Sequence, residues 1–216
     1  MRRLVLLASL CLAVPAALPA SVNPDRLAAT VVKELNVYWR DEFSAVGRRY
    51  ARLPHLYAYS TRVRDACGWT VAYNASYCRR DHSISYDRRM LVRAARHGEF
   101  AAATILAHEF GHYVQDRLGW LTWAEKHRYW MGTELQADCY AGMFLRYAHS
   151  AALLEPGDLQ SAMQLIVSVG ENMPVKPRTR GAHGTSQQRL HWFTNGYTSG
   201  DLSTCDNVYR ALYAAR

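Results

Sequence analysis

Hydrophobic positions along this chain fall into helical stripes separated by capped turns, with a short β-like stretch after the first stripe. Leu27, Val31, Leu35, Trp39 and Phe43 recur every four residues behind Asn23 and Pro24, a cap followed by proline at the first helical position. They predict an opening helix whose stripe is core packing. Leu56 to Thr61 reads as a strand, and His82 to Tyr86 alternates like a second one, with a loop bounded by Cys67 and Cys78 between them. From about Glu99 the pattern is mainly helical. An alanine-rich helix is predicted to reach Leu118 and stop at Gly119, with Leu106, Phe110 and Val114 on its buried face. Thr122-Trp-Ala-Glu125 and Thr133-Glu-Leu-Gln136 have capping-box spacing and predict a short helix and a longer one. Pro156-Gly157-Asp158 opens a further helix ending near Gly170. Residues 174–184 form a basic loop rich in proline and glycine. Thr185-Ser-Gln-Gln188 is a third capping box, launching a helix toward Gly200, and a final helix is predicted over Asp206 to Ala214. The expected class is α+β, mainly helical, with a small sheet.

Length and composition bound this picture. At 216 residues, half of them hydrophobic, the chain is expected to fold as one domain with a real core. Residues 1–20 read as a secretory signal: Arg2 and Arg3, an apolar run from Leu4 to Val14 too short to span a bilayer, then small residues and proline. Cleavage after Ala16 or after Ala20 fits, leaving a domain over 21–216. The expected location is therefore secreted or extracytoplasmic, at the cell envelope. Leu10 stands where a lipoprotein needs a small residue before Cys11, which argues against a lipid anchor. Cys67, Cys78, Cys139 and Cys205 remain, an even count with three connectivities. Proximity in sequence pairs Cys67 with Cys78, which leaves Cys139 with Cys205.

The net charge of +8 comes mostly from arginines scattered along the chain. A nucleic-acid protein concentrates them with aromatics on one element, so no nucleic-acid partner is expected. Peripheral attraction to an anionic cell surface is the milder reading.

The candidate chemistry centres on His108-Glu109-Phe110-Gly111-His112. This is H-E-x-x-H on a predicted helix, so His108 and His112 share a face one turn apart and can grip one zinc ion. Glu109 then stands beside the metal as the general base for a water. The motif alone arises by chance in about 1–2% of such chains, so context must decide. A catalytic zinc takes three protein ligands and leaves one position open. Glu134 is the best third ligand, because Glu134-Leu-Gln-Ala-Asp138 follows on the next long helix. Glu134 and Asp138 share a face, so one carboxylate can bind metal while the other orients a ligand histidine. Cys139 lies about 140° round that helix from Glu134, which favours its disulfide over a ligand role.

Three blocks, His108 to Gln115, Glu134 to Gly142 and His183-Gly-Thr-Ser-Gln-Gln-Arg189, resemble the bacterial neutral zinc metallopeptidases, and the likeness extends over roughly residues 30–210. The resemblance implies a zincin-like fold with one zinc per chain held by His108, His112 and Glu134. It implies Glu109 as base and, from the wider gluzincin group, Asp138 as the partner of a ligand histidine. His183 fits the donor such peptidases place opposite the zinc to stabilise an oxyanion. Arg189 reads better as half of a structural ion pair. The chain departs from the family pattern at Arg79 and Tyr113. His55, His82, His97, His127, His149 and His191 have no partner at ligand spacing and read as surface or core. The expectation is thus a monomeric, exported zinc endopeptidase acting on peptide or protein substrates. The rival is an inactive, zinc-stabilised binding or assembly factor on the same scaffold, which has no need of Glu109 beside an open position.

Overall fold

The computed structural model describes residues 22–214. The expected signal segment, residues 1–20, lies outside the described residues.

Helix α1 (Pro24–Ala45) starts where the sequence places it: the Asn23 side chain accepts hydrogen bonds from the backbone N–H groups of Asp25 and Arg26. Its apolar stripe is not a single line. Each four-residue step rotates about 40° round the helix, since successive residues are about 100° apart. Leu35, Trp39 and Phe43 are fully buried, whereas Leu27 and Val31 drift to the margin and Ala28 and Val32 take the core positions.

The sheet is small. Strand β1 (His55–Tyr59) lies parallel to β5 (Ser83–Asp87), and β4 (Ala75–Cys78) pairs antiparallel on the other side of β5. Strands β2 (Arg64–Asp65) and β3 (Gly68–Trp69) form a separate two-stranded hairpin across the start of the cysteine loop, with Cys67 in its turn. The alternation in β5 does not mark a solvent face, because the strand is central and all five residues are buried, Ser83 and Ser85 included. Helix α2 (Arg88–Ala95) follows β5 directly, capped by Asp87. It begins earlier than the helical region expected from about Glu99.

Helices α3 (Glu99–Leu118), α4 (Trp120–His127), α5 (Trp130–Ser150), α6 (Asp158–Ser168), α7 (Ser186–Ser199) and α8 (Leu202–Tyr213) complete the described chain. Gly119, at φ 89°, ends α3 in the left-handed region that glycine tolerates. Thr185 and Gln188 form the expected reciprocal box at the start of α7. Two other boxes are not caps. Helix α4 starts at Trp120, and the Thr122 hydroxyl instead accepts from Arg79. Helix α5 starts at Trp130, a turn before Thr133, whose hydroxyl donates to the Trp130 carbonyl. The final helix likewise starts earlier, at Leu202 behind the capping side chain of Asp201.

Helix α5 is the axis of the fold, buried along most of its length between α3 and α7. Close approach requires glycine: a Cβ on Gly142 would sit 2.0 Å from the Phe193 carbonyl oxygen, and one on Gly196 would sit 1.9 Å from that of Cys139. Disulfides join Cys67 to Cys78 and Cys139 to Cys205. The second ties α5 to α8. No described helix is long and apolar enough to cross a membrane.

Candidate metal centre

Helix α3 presents His108 and His112 from successive turns, and α5 brings Glu134 against them. The helices can come this close because Gly111 faces α5. A Cβ there would lie 3.0 Å from the Ala137 Cα. The histidine Nε2 atoms and the Glu134 carboxylate converge. His108 Nε2 is 3.3 Å from Glu134 Oε2, and His112 Nε2 is 3.6 Å from Oε1. Ligands held about 2.0–2.1 Å from a tetrahedral zinc stand about 3.3–3.4 Å apart, so this donor set has the right chemistry and spacing for zinc. Among the described residues one other group gathers three donors, Asp65 with Cys67 and Cys78, but its sulfurs are joined in the disulfide.

The other ring nitrogens are already engaged. His108 Nδ1 lies 2.8 Å from Asp138 Oδ1, and His112 Nδ1 lies 2.9 Å from Gln115 Oε1. Each acceptor takes the Nδ1 proton, which leaves Nε2 as the ring atom that faces Glu134 and binds a metal once it gives up any proton. Asp138 is itself gripped by Arg189, whose Nε and Nη2 each donate over 2.7 Å. Arg189 Nη2 also comes within 3.4 Å of His108 Nδ1. Both are donors sharing one carboxylate oxygen, so that approach is not a hydrogen bond between them. Gln115 is fixed in turn: its Nε2 donates to the Thr133 carbonyl and to Gln136 Oε1, and Gln136 Nε2 donates to Asp206. Gln115, Gln136 and Asp138 are fully buried. The sequence reading did not single out Gln115. Its position three residues past His112, on the ligand face of α3, was the available signal.

Electrostatics follow from this packing. Burial pushes Glu134 and Asp138 up, but their partners more than offset it: the His112 and His108 imidazoles for Glu134, the Arg189 guanidinium for Asp138. Both carboxyls are held below their usual range. Burial pulls His108 down, yet the Asp138 carboxylate outweighs it and the imidazole is raised. The centre therefore favours a cation between His108 and Glu134, and a metal must displace protons to enter.

Glu109 stands next to this cluster. Its Oε2 accepts from the backbone N–H of Tyr77 on β4 at 2.9 Å, which ties the carboxylate to an edge strand of the sheet. The Tyr77 hydroxyl points elsewhere, donating to Asp116. His108, Glu109, His112, Glu134, His183 and Arg189 all line one cleft of about 460 Å³, whose other walls come from β4, Met90, Ile105 and α6.

His183 reaches the cleft from the basic loop. Glu171, also absent from the sequence reading, clamps that loop by accepting from the N–H groups of His183 and Gly184. Its own N–H donates to the Gly184 carbonyl. The His183 ring is half-exposed, 4.0 Å from Glu171. Arg79 pairs with Asp116, and the buried Tyr113 donates its hydroxyl to the Ala51 carbonyl, so neither departure from the family pattern touches a donor of the centre.

The model of a family described as "putative neutral zinc metallopeptidase" matches residues 15–208. The chain is 31% identical to the uncharacterized protein YpfJ of Escherichia coli (strain K12) over 196 residues, covering 81% of this chain and 68% of that protein. It is 34% identical to the uncharacterized protein Rv2575 of Mycobacterium tuberculosis (strain ATCC 25618 / H37Rv) over 186 residues, covering 73% of this chain and 63% of that protein. No solved structure matches the chain significantly.

Proposed function

The chain belongs to the neutral zinc metallopeptidase family, and we propose that it is an exported zinc endopeptidase of zincin-like fold. The observation that carries the reading is the convergence of two imidazoles and a carboxylate in an open cleft, with the spare carboxylate of Glu109 beside them. A purely structural zinc site is closed by four protein ligands. His108, His112 and Glu134 would hold one zinc per chain. The ion, when bound, polarises the scissile carbonyl and lowers the pKa of a water to about 7. Glu109 takes the proton of the attacking water and later delivers it to the leaving amine. The Tyr77 N–H keeps its carboxylate in place for both transfers. Asp138 and Gln115 hold the ligand imidazoles in one tautomer. His183, at the cleft wall, donates to the oxyanion that develops on the substrate carbonyl.

The substrate is a peptide or protein, and the chain works as a monomer. Two disulfides support an extracytoplasmic location, since such bonds persist in oxidising compartments. Residues 1–20 are the signal and 21–216 the peptidase domain.

Metal analysis with a peptide-library digest tests the reading. The chain should bind one zinc and cleave peptides, His112→Ala should lose the zinc, and Glu109→Gln should keep zinc while losing hydrolysis. Full zinc in His112→Ala overturns the ligand set. Equal turnover in Glu109→Gln removes Glu109 from the chemistry, and absence of cleavage by the zinc-loaded wild type favours the binding-factor reading.

A further inference from the structure

Three of the exposed large apolar side chains among the described residues lie close together in the chain. At the end of β3 and in the loop that follows it, Trp69, Val71 and Tyr73 are 61%, 63% and 55% exposed. Their exposure is built rather than incidental. The alternate residue Thr70 is buried and exchanges hydrogen bonds with Val63. The Tyr59 hydroxyl donates to the carbonyls of Val71 and Asn74, and the Cys67–Cys78 disulfide closes the base of the loop. The backbone is thus pinned from inside while three large apolar side chains face water.

Folding also collects arginines around this loop, although they are dispersed in the sequence. Arg62 stacks on Trp69 at 5.6 Å, and Arg89 on Tyr73 at 4.5 Å. Arg88, Arg89 and Arg93 of α2, with Arg96 just past its end, form a shallow basin with Tyr73 and Val92. Arg88 pairs with Asp25 and Arg89 with the buried Asp87. Arg62, Arg64, Arg93 and Arg96 have no carboxylate partner among the described residues, so the face carries uncompensated positive charge.

We propose that this face, the 69–73 loop flanked by α2, docks on an anionic phospholipid bilayer. Arginines complement the headgroup phosphates. Trp69 and Tyr73 are the amphipathic rings that settle at headgroup depth, and Val71 between them gains only from an apolar medium. A polyanion such as nucleic acid would use the arginines and the stacking rings but would gain nothing from an outward valine. The loop runs on through Asn74 into β4, whose Ala75, Ser76 and Tyr77 stand with Asn74 in the cleft wall, and Met90 of α2 lines the same cleft. Docking therefore sets the mouth of the cleft beside the membrane. That consequence rests on the peptidase reading; the docking does not.

Sedimentation of the full chain with vesicles tests it. Vesicles of phosphatidylglycerol and phosphatidylcholine should bind the protein, pure phosphatidylcholine should not, and raised salt should weaken the binding. Arg93→Ala with Arg96→Ala should weaken binding about 30-fold, at about fivefold per arginine near an anionic surface. Trp69→Ser with Val71→Ser should weaken it at least about tenfold, leaving hydrolysis of a soluble peptide unchanged. Brominated lipid should quench indole fluorescence in the wild type and much less in Trp69→Phe, a reading that holds even if the double serine variant misfolds. Equal binding to neutral vesicles, or no quenching by bound lipid, overturns the proposal. Binding to duplex DNA that needs the arginines but ignores Trp69 and Val71, without vesicle binding, assigns the face to a polyanion instead.

Discussion

Replacing Arg189 with methionine isolates the support behind the His108 imidazole. Arg189 and Asp138 meet through two 2.7 Å contacts, with side chains 6% and 0% exposed. Deleting the guanidinium leaves a buried carboxylate with one strong donor, His108 Nδ1 at 2.8 Å. Breaking a buried pair by removing one partner costs about 3–5 kcal/mol. At about 2–4 °C per kcal/mol for a domain of this size, Tm should fall by about 6–20 °C. Asp138→Asn should cost a similar amount, because it leaves the guanidinium uncompensated. The two losses share one cause, so the double variant should be less destabilised than their sum by about 1–3 kcal/mol. Zinc affinity should separate the partners. Asp138→Asn weakens the acceptor that orients His108 and should cost about 10–100-fold, whereas Arg189→Met keeps that acceptor and should cost less. Urea unfolding of the four proteins in chelator, with zinc affinity by competition against a chromogenic chelator, measures both. Strict additivity, or a cost below about 1 kcal/mol for Arg189→Met, refutes the coupled-pair argument.

Three further outcomes follow from the same geometry. Gln115→Leu removes the acceptor of the His112 Nδ1 proton and should weaken zinc binding about 10–100-fold by chelator competition, while Gln115→Glu, which keeps an acceptor, should restore most of it. His183→Ala should lower kcat by about 10²–10³ with little change in KM or zinc content, because Glu171 holds the loop through backbone N–H groups that alanine retains; an unchanged kcat sends the oxyanion donor elsewhere. Burial raises Asp206 from 3.8 to about 6, so the folded state binds its proton more tightly than the unfolded chain, and stability should decline as pH rises from about 4 to about 6. Asp206→Asn should flatten that segment of a urea-midpoint profile, and a profile that keeps its slope excludes Asp206 as the source.

Much of the centre is visible in the sequence because helical geometry is local. Four-residue spacing alone places His108 and His112 on one face, and the same rule pairs Glu134 with Asp138. The caps show how far local rules reach. Thr185 and Gln188 do form a box, since no other partner competes for them. Thr122 and Thr133 have the same spacing but do not cap, because Arg79 takes one hydroxyl and helix α5 begins a turn before the other. Strand β5 misleads for a similar reason: alternation predicts a wet face only for a strand covered on one side, and β5 is covered on both.

The sequence by itself picked out the candidate donor residues, and it set the shared face of His108 and His112 and the opening cap at Asn23 through interactions within a few residues. Only the tertiary structure decided what closes on them. Glu134 closed on the histidine pair, Glu171 became the clamp on His183, and Tyr77 the N–H that holds Glu109, the last two across separations of 12 and 32 residues. Dispersed arginines became one face beside an apolar loop in the same way. Such pairings depend on how closely α3 and α5 pack at Gly111 and on the register of β4 against β5, and these are properties of the assembled core rather than of any segment.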